Sequence, residues 1–214
     1  MSRIVIFGGT GYTGGNIARE AVSRGHQVVA YSRNAPAEPT SGVEYRVGSL
    51  ADAEVVASAA EGADAVVVAV QAHDVDGAPL VQRIGAVVDA AVAAGARLGV
   101  VGGAGSLHVS EDGPRLVDTP EFMDEWKPEA LAHADVLESL RADAGKADWF
   151  YVSPAALYGS FAPGETTGEY RTGGDVLVTA EDGTSEISGT DYALAFVDEL
   201  EQRNHVNQRF TVAH

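Results

Sequence analysis

Four apolar residues, Ile4-Val5-Ile6-Phe7, run without a break into Gly8-Gly9-Thr10-Gly11-Tyr12-Thr13-Gly14, and this junction constrains the fold more than any other stretch of the chain. A continuous β-branched run has no polar face to offer water, so it predicts a strand covered on both sides, as in a parallel sheet. From Gly14 onward Ile17, Ala21 and Val22 fall at helical intervals, with Arg19, Glu20 and Arg24 on the other side. The order is therefore strand, glycine turn, helix. In a G-x-x-G-x-x-G loop so placed, Gly8 and Gly11 let backbone N–H groups approach an anion at the helix amino end, and Gly14 lets helix and sheet pack closely. That context makes the loop a pyrophosphate site for a dinucleotide. Thr10, Tyr12 and Thr13 lie in it and can add hydroxyl or backbone contacts.

The strand-to-helix alternation continues. Residues 28–31 and 43–47 read as strands, the second an edge because Glu44 and Arg46 alternate with apolar positions; Asp52 opens a short Ala-rich helix, and 65–70 is a buried strand. Leu80, Val81, Ile84, Val87, Val88, Ala91 and Val92 form a stripe closed by Gly95, before a strand at 97–101. Trp126, Ala130, His133, Leu137, Leu140 and Ala144 form another, followed by a strand at 147–152. A helix bearing Ala193, Phe196, Val197 and Leu200, capped around Ser188 or Thr190, precedes a last strand at 208–212. This order predicts an α/β protein: a doubly wound parallel sheet with helices on both faces, the Rossmann arrangement. Residues 1–214 read as one domain, with 153–214 contributing a small substrate lobe and the last helix and strand. The turn-rich stretches 105–125 and 159–174 follow carboxyl ends of strands, where ligands bind in such sheets.

Composition narrows the function classes. The formal charge of −17, from 31 acidic against 14 basic residues, repels phosphate backbones and disfavours direct nucleic-acid binding. A solvated acidic face accounts for it. So does adaptation to high salt, and the preference for arginine over Lys127 and Lys146, the two lysines, fits base composition equally. With no cysteine there is no disulfide, thiolate metal site or thiol nucleophile. No apolar run approaches the roughly 20 residues of a membrane span, and the amino end lacks a signal-peptide pattern, so a cytoplasmic protein is expected. The sequence is compatible with a monomer or a homodimer.

The carboxyl end of the second strand should meet the adenosine ribose. An acid there accepts from a 2′-hydroxyl, whereas a 2′-phosphate wants an arginine. The residues are Tyr31-Ser32-Arg33-Asn34, which favours NADP(H), with NAD(H) second.

Taken together, the run 6–14, Val100-Val101-Gly102-Gly103-Ala104-Gly105-Ser106-Leu107, Leu116-Val117-Asp118-Thr119-Pro120-Glu121-Phe122 and Tyr151-Val152-Ser153-Pro154-Ala155 resemble the atypical short-chain dehydrogenase/reductase group of NADH–flavin reductase-like proteins. This group is close to the NAD(P)H-binding proteins that include biliverdin reductase B and NmrA-like regulators. The resemblance covers nearly the whole chain and implies a Rossmann sheet with a small carboxyl-terminal substrate region. It also implies cofactor contacts at Thr10 to Gly14, Ser32, Arg33, Ser49, Leu50, Ala69 and Val70, with Ser153, Pro154 and Ala155 near the nicotinamide. The chain departs from the pattern at Gly48-Ser49-Leu50, where relatives often carry an aspartate beside the leucine to hold the adenine amino group.

Most short-chain dehydrogenases use a Tyr-x-x-x-Lys pair, whose lysine lowers the tyrosine pKa for proton shuttling. Here the positions four before the two lysines are Met123 and Ala142, and Glu129 and His133 stand where the pair is expected. Hydride transfer to a conjugated ring asks less: positioning dominates, and water can protonate a delocalised anion. Ser106 occupies the family's active-site serine position and can donate to the acceptor, while His133, on the inward stripe, is a candidate proton source. His73 and His108 lie in strand-end loops without metal-site spacing, so no metal is expected. Tyr158, Phe161 and Tyr170 flank the second long loop and can stack on a flat acceptor or pack the lobe. Trp126 and Trp149 are assigned to the core. The expected activity is NADPH-preferring reduction of a flavin, quinone or similar planar acceptor, the flavin being substrate rather than prosthetic group. The alternative is a redox-sensing NADP(H)-binding protein without turnover.

Overall fold

The amino-terminal run forms strand β1 (Arg3–Phe7), and its alternate residues face two separate cores. Val5 and Phe7 pack into one, Ile4 and Ile6 into the other, which is why the run carries no polar position. Each of these side chains contributes about 1.5–3 kcal/mol by leaving water. The computed structural model describes residues 1–142 and 146–214. Among them the sheet comprises β1, β2 (Gln27–Ser32), β3 (Val43–Val47), β4 (Ala65–Val68), β5 (Arg97–Val101), β6 (Trp149–Ser153), β7 (Arg171–Gly173) and β8 (Gln208–Ala213), in the order β3-β2-β1-β4-β5-β6-β8-β7. Every pairing is parallel except that of β7 with β8. The chain is thus an α/β protein with a Rossmann-like doubly wound sheet, and β3 is an edge strand as its alternation predicts.

Five helices cover the faces: α1 (Tyr12–Ser23), α2 (Ala53–Ala60), α3 (Ile84–Ala94), α4 (Lys127–Ala142) and α5 (Gly189–Gln202). Buried residues of α2, α3 and α4 close over Val5 and Phe7, while those of α1 and α5 close over Ile4 and Ile6. Asp52 caps α2, accepting from the N–H groups of Glu54 and Val55, and Ser188 caps α5, accepting from Asp191 N–H. Beneath α5 the buried Arg97 pairs with Glu199 at 2.5 Å and lies over the Phe150 ring. No helix is long and apolar enough to cross a membrane among the described residues.

Several expectations are corrected. Trp126 is 39% exposed rather than core, because it closes a short 3-10 turn ahead of α4 and stacks between two loops instead of under the helix. Val92, assigned to the inward stripe, is 46% exposed. A 3-10 turn at Leu80–Gln82 precedes α3, so the apolar stripe is not one helix; within α3 Ile84, Val87, Val88 and Ala91 keep the inward phase, and Val92 lies in the last turn before the Gly95 cap. The expected strand at 65–70 ends at Val68; Ala69 still donates to Phe7 O, and the chain then turns outward. β7 falls inside the stretch read as turns. Ala144 lies outside the described residues.

The sheet order reverses between β1 and β4, and the loops leaving these strands part there. This is the switch point at which ligands bind in such sheets.

Candidate active site

A cleft of about 700 Å³ opens at the carboxyl ends of β1, β2 and β4, bounded by Gly8, Thr10, Gly11, Arg33, Ser49 and Val70 among others. Its floor is the glycine loop. Gly8 has φ +87°, a left-handed conformation, and an added Cβ would stand 2.2 Å from Ala69 O; at Gly14 it would stand 2.3 Å from Gly8 O. Both glycines are demanded by the turn itself. Gly11 differs: an added Cβ would meet Gly8 O at 3.3 Å and nothing else within 4 Å, so the glycine keeps the space in front of α1 clear. As the N-cap of α1 it has no side chain to satisfy the first-turn N–H groups, and that turn holds no acid. These free donors and the bare approach fit a pyrophosphate. Thr10 and Gly11 are exposed in the cleft. The Tyr12 hydroxyl instead accepts from Gly189 N–H at 3.1 Å, and Thr13 Oγ1 shares a 2.9 Å hydrogen bond with Tyr158.

Past the ends of β2 and β3 the structure brings Ser32, Arg33, Ser49 and Leu50 around the same cleft as Ala69 and Val70. Ser32 Oγ donates to Asn34 O at 2.6 Å, and Leu50 is buried beneath. Arg33, 73% exposed, donates from Nη1 to Asp76 Oδ1 at 3.2 Å, and Ser49 Oγ donates to Asp76 Oδ2. The Ser49 hydrogen bond, together with the charge of Arg33, holds the Asp76 carboxyl below the usual carboxylate range. Asp76 went unseen in the sequence because it lies 43 residues from Arg33 in what reads as a plain Asp-Gly turn.

At the neighbouring strand end, outside the lining of this cleft, stand the glycines after β5. An added Cβ would lie 2.0 Å from the Tyr151 ring at Gly102, 3.2 Å from His133 Cβ at Gly103 and 2.6 Å from Ala130 Cβ at Gly105. Each glycine makes room for a side chain of β6 or α4, which lets both elements close on this strand end and sets Ser106 beside them. Ser153, Pro154 and Ala155 are buried at the end of β6, with Ser153 Oγ donating to Gly103 O at 2.9 Å. Tyr151 accepts from Gly103 N–H and donates to His133 O, and burial raises its hydroxyl far above the ordinary tyrosine value. It stays protonated and is no base.

Ser106 Oγ accepts from Arg209 Nη1 at 2.8 Å. Arg209 is buried and is held by Asp175, to which its Nε donates at 2.6 Å; Asp175 is also held by Arg141 at 2.8 Å. Sequence reasoning missed Arg209, although a cation inside the apolar run of β8 is a signal that something must pair it. His133 is buried, as its place on the stripe predicts. Its Nε2 meets Glu129 Oε1 at 3.1 Å, and its Nδ1 is buried with no hydrogen-bond partner among the described residues. Glu129 also accepts from Ala72 N–H at 2.7 Å and from His73 Nδ1 at 2.5 Å. Burial pushes this carboxyl up, but the hydrogen bond and charge of His133, with the Ala72 and His73 bonds, bring it down to about 2. The Glu129 and His133 positions therefore form a clamp between α4 and the loop after β4.

The aromatic residues divide. Tyr158 packs between Tyr12 and Tyr192, and the Tyr170 hydroxyl donates to Asp198 at 2.6 Å. Phe161 is 66% exposed, its ring 5.6 Å from that of Trp126 across the two long loops. His108 Nδ1 meets Gly113 O. Among the described residues no cluster of three or more His, Asp or Glu can hold a metal ion.

Comparison with known proteins agrees with this geometry. The model of the NAD(P)H-binding family matches residues 8–203. The uncharacterized protein YwnB of Bacillus subtilis is 39% identical over 220 residues, covering 98% of this chain and 97% of that one. A Burkholderia pseudomallei crystal structure, assigned as an exported protein, is 44% identical over 100% of both chains with a TM-score of 0.87. A Streptococcus pneumoniae structure, assigned as an NADH-flavin reductase, is 34% identical over 100% of both chains with a TM-score of 0.84.

Proposed function

The chain belongs to the NAD(P)H-binding family, and from that premise we propose that it is an oxidoreductase passing hydride from NADPH to a flavin, quinone or similar planar acceptor. Gly8, Thr10 and Gly11 would hold the pyrophosphate, Arg33 and Ser49 the adenosine end, and Ser153, Pro154 and Ala155 would border the nicotinamide. When bound, the reduced nicotinamide supplies the hydride. The observation that carries the reading is the Ser106 hydroxyl, whose oxygen already accepts from Arg209 and whose own proton is left to donate. Aimed at a carbonyl of a conjugated ring, that proton stabilises the charge which develops as hydride arrives. Arg209 polarises the hydroxyl, and water completes the protonation. Tyr151 is locked in its protonated form and the Tyr-x-x-x-Lys relay is missing, which favours such acceptors over alcohols.

The Streptococcus relative's assignment supports a flavin as acceptor, and Arg33 supports NADPH as donor. A cytoplasmic location belongs to the same reading, since reduced nicotinamide dinucleotides are held there; the Burkholderia relative carries the opposite assignment. Steady-state oxidation of NADPH with FMN, FAD and quinones tests the proposal. Turnover with one of them is expected. Tight NADPH binding with no turnover for any acceptor rejects the enzyme and leaves the redox-sensing role.

A further inference from the structure

We infer that Asp76 sets how strongly the adenosine end distinguishes a 2′-phosphate from a 2′-hydroxyl, because its carboxylate occupies the anion position that Arg33 and Ser49 otherwise offer. The inference rests on the proposed dinucleotide cleft and deepens it. In the sequence, Arg33 at the end of β2 argues for a 2′-phosphate without opposition. In the structure that cation already has an anion. Arg33 Nη1 donates to one oxygen of Asp76 at 3.2 Å and Ser49 Oγ donates to the other, while Ser49 Oγ is itself fixed by Ala51 N–H at 3.0 Å. All three residues line the same cleft.

The carboxylate is delivered there by a built turn. Val75 is buried in the core, Val75 N–H donates to Ala78 O at 2.7 Å, and Gly77 N–H donates to Asp74 Oδ1 at 2.7 Å. Asp76 stands at the tip with φ 51°, a left-handed conformation that aspartate and asparagine tolerate better than other side chains. The charge of a second cation, Arg83, also acts on Asp76, and its Nε is buried with no hydrogen-bond partner among the described residues.

Two ligand chemistries meet this arrangement differently. A 2′-hydroxyl can donate to the Asp76 carboxylate and leave its bonds to Arg33 and Ser49 in place. A 2′-phosphate brings close to two negative charges, so it must either displace the carboxylate from Arg33 or sit against it. Breaking the exposed Arg33–Asp76 pair costs little; the repulsion that remains is what Asp76 imposes on NADPH. Asp76 is therefore a specificity-determining residue that restrains the NADPH preference Arg33 creates.

The test is an affinity series needing no turnover. NADPH, NADH, adenosine 2′,5′-bisphosphate and AMP are titrated into the native chain, Asp76→Asn, and Asp76→Asn with Arg33→Gln. Asparagine keeps the turn and a hydrogen-bonding partner for Ser49 while removing the charge. The expected result is about tenfold tighter binding of both 2′-phosphorylated ligands to Asp76→Asn, with NADH and AMP changed less than twofold and the gain erased by Arg33→Gln. Equal changes for all four ligands, or none, overturn the inference. If no ligand binds any of the three proteins, the cleft assignment falls and this inference with it. Failure to reduce an acceptor while these affinities behave as expected overturns only the reductase reading.

Discussion

Arg209, with 2% of its side chain exposed, donates from Nη1 to Ser106 Oγ at 2.8 Å across 103 residues of sequence. Its Nε and Nη2 both face Asp175, so the guanidinium is held rigidly and the serine oxygen is oriented by a buried charge. A hydroxyl that accepts from a cation is a better donor through its own proton.

Replacement of Ser106 by alanine should lower kcat/KM for the acceptor roughly tenfold to a hundredfold, the range of one charge-assisted hydrogen bond. The Kd for NADPH should be unchanged. Arg209→Lys keeps the charge but loses the fork that reaches Ser106 and Asp175 together, so it should lower kcat by a smaller factor without moving KM for NADPH. Stopped-flow and steady-state rates separate these effects, and acceptor kinetics unaltered in Ser106→Ala would sink the assigned role.

Gly8 and Gly11 should respond in opposite ways. Gly8→Ala forces a side chain into a left-handed position 2.2 Å from Ala69 O and should cost about 3 kcal/mol of stability. Gly11→Ala meets no such obstacle and should stay within about 1 kcal/mol of the native chain. Its dinucleotide affinity should nevertheless fall at least roughly tenfold, because the methyl occupies the approach to the α1 N–H groups. Urea denaturation and calorimetric titration read the two quantities apart; similar stability losses in both variants would contradict the distinction.

Glu129 links stability to pH. Its folded carboxyl lies at about 2 against an ordinary 4.5, so it contributes stability that is full above 4.5 and is lost as pH falls toward 2. With 32% of the side chain exposed, the contribution is about 2 kcal/mol, less than the ~3.4 of an unscreened shift. Glu129→Gln should therefore be about 2 kcal/mol less stable at pH 7, and the gap should close between pH 4.5 and 2. Urea midpoints for both proteins across that range check the sign: a gap that widens on acidification is the wrong one.

Salt should act in two directions. Screening of a −17 charge relieves self-repulsion and should raise the unfolding midpoint from low to molar KCl, while the attraction of Arg33 for a phosphorylated ligand weakens. Thermal melts and NADPH titrations at matched salt concentrations measure both. A midpoint that does not move rules out a salt-adapted role for the acidic surface.

What the amino-acid sequence determined by itself is the part written in local periodicity: β1 and its glycine loop, the helix phases that bury Ile17 and Leu137, the cap at Asp52 and a cap at Ser188 or Thr190, between which the structure chose Ser188, and from these the doubly wound sheet. A residue's neighbours three or four positions away suffice for such features. Where periodicity ran out, as at the 3-10 turn before Lys127 and in the last turn of α3, the placements of Trp126 and Val92 went astray. The tertiary structure alone decided the chemistry of the site. The pairs Arg33–Asp76 and Ser106–Arg209 and the clamp of Glu129 on His73 join residues separated by 43, 103 and 56 positions. Charge and hydrogen bonding at such range depend on which strand ends the sheet order brings together, and no spacing along the chain records that.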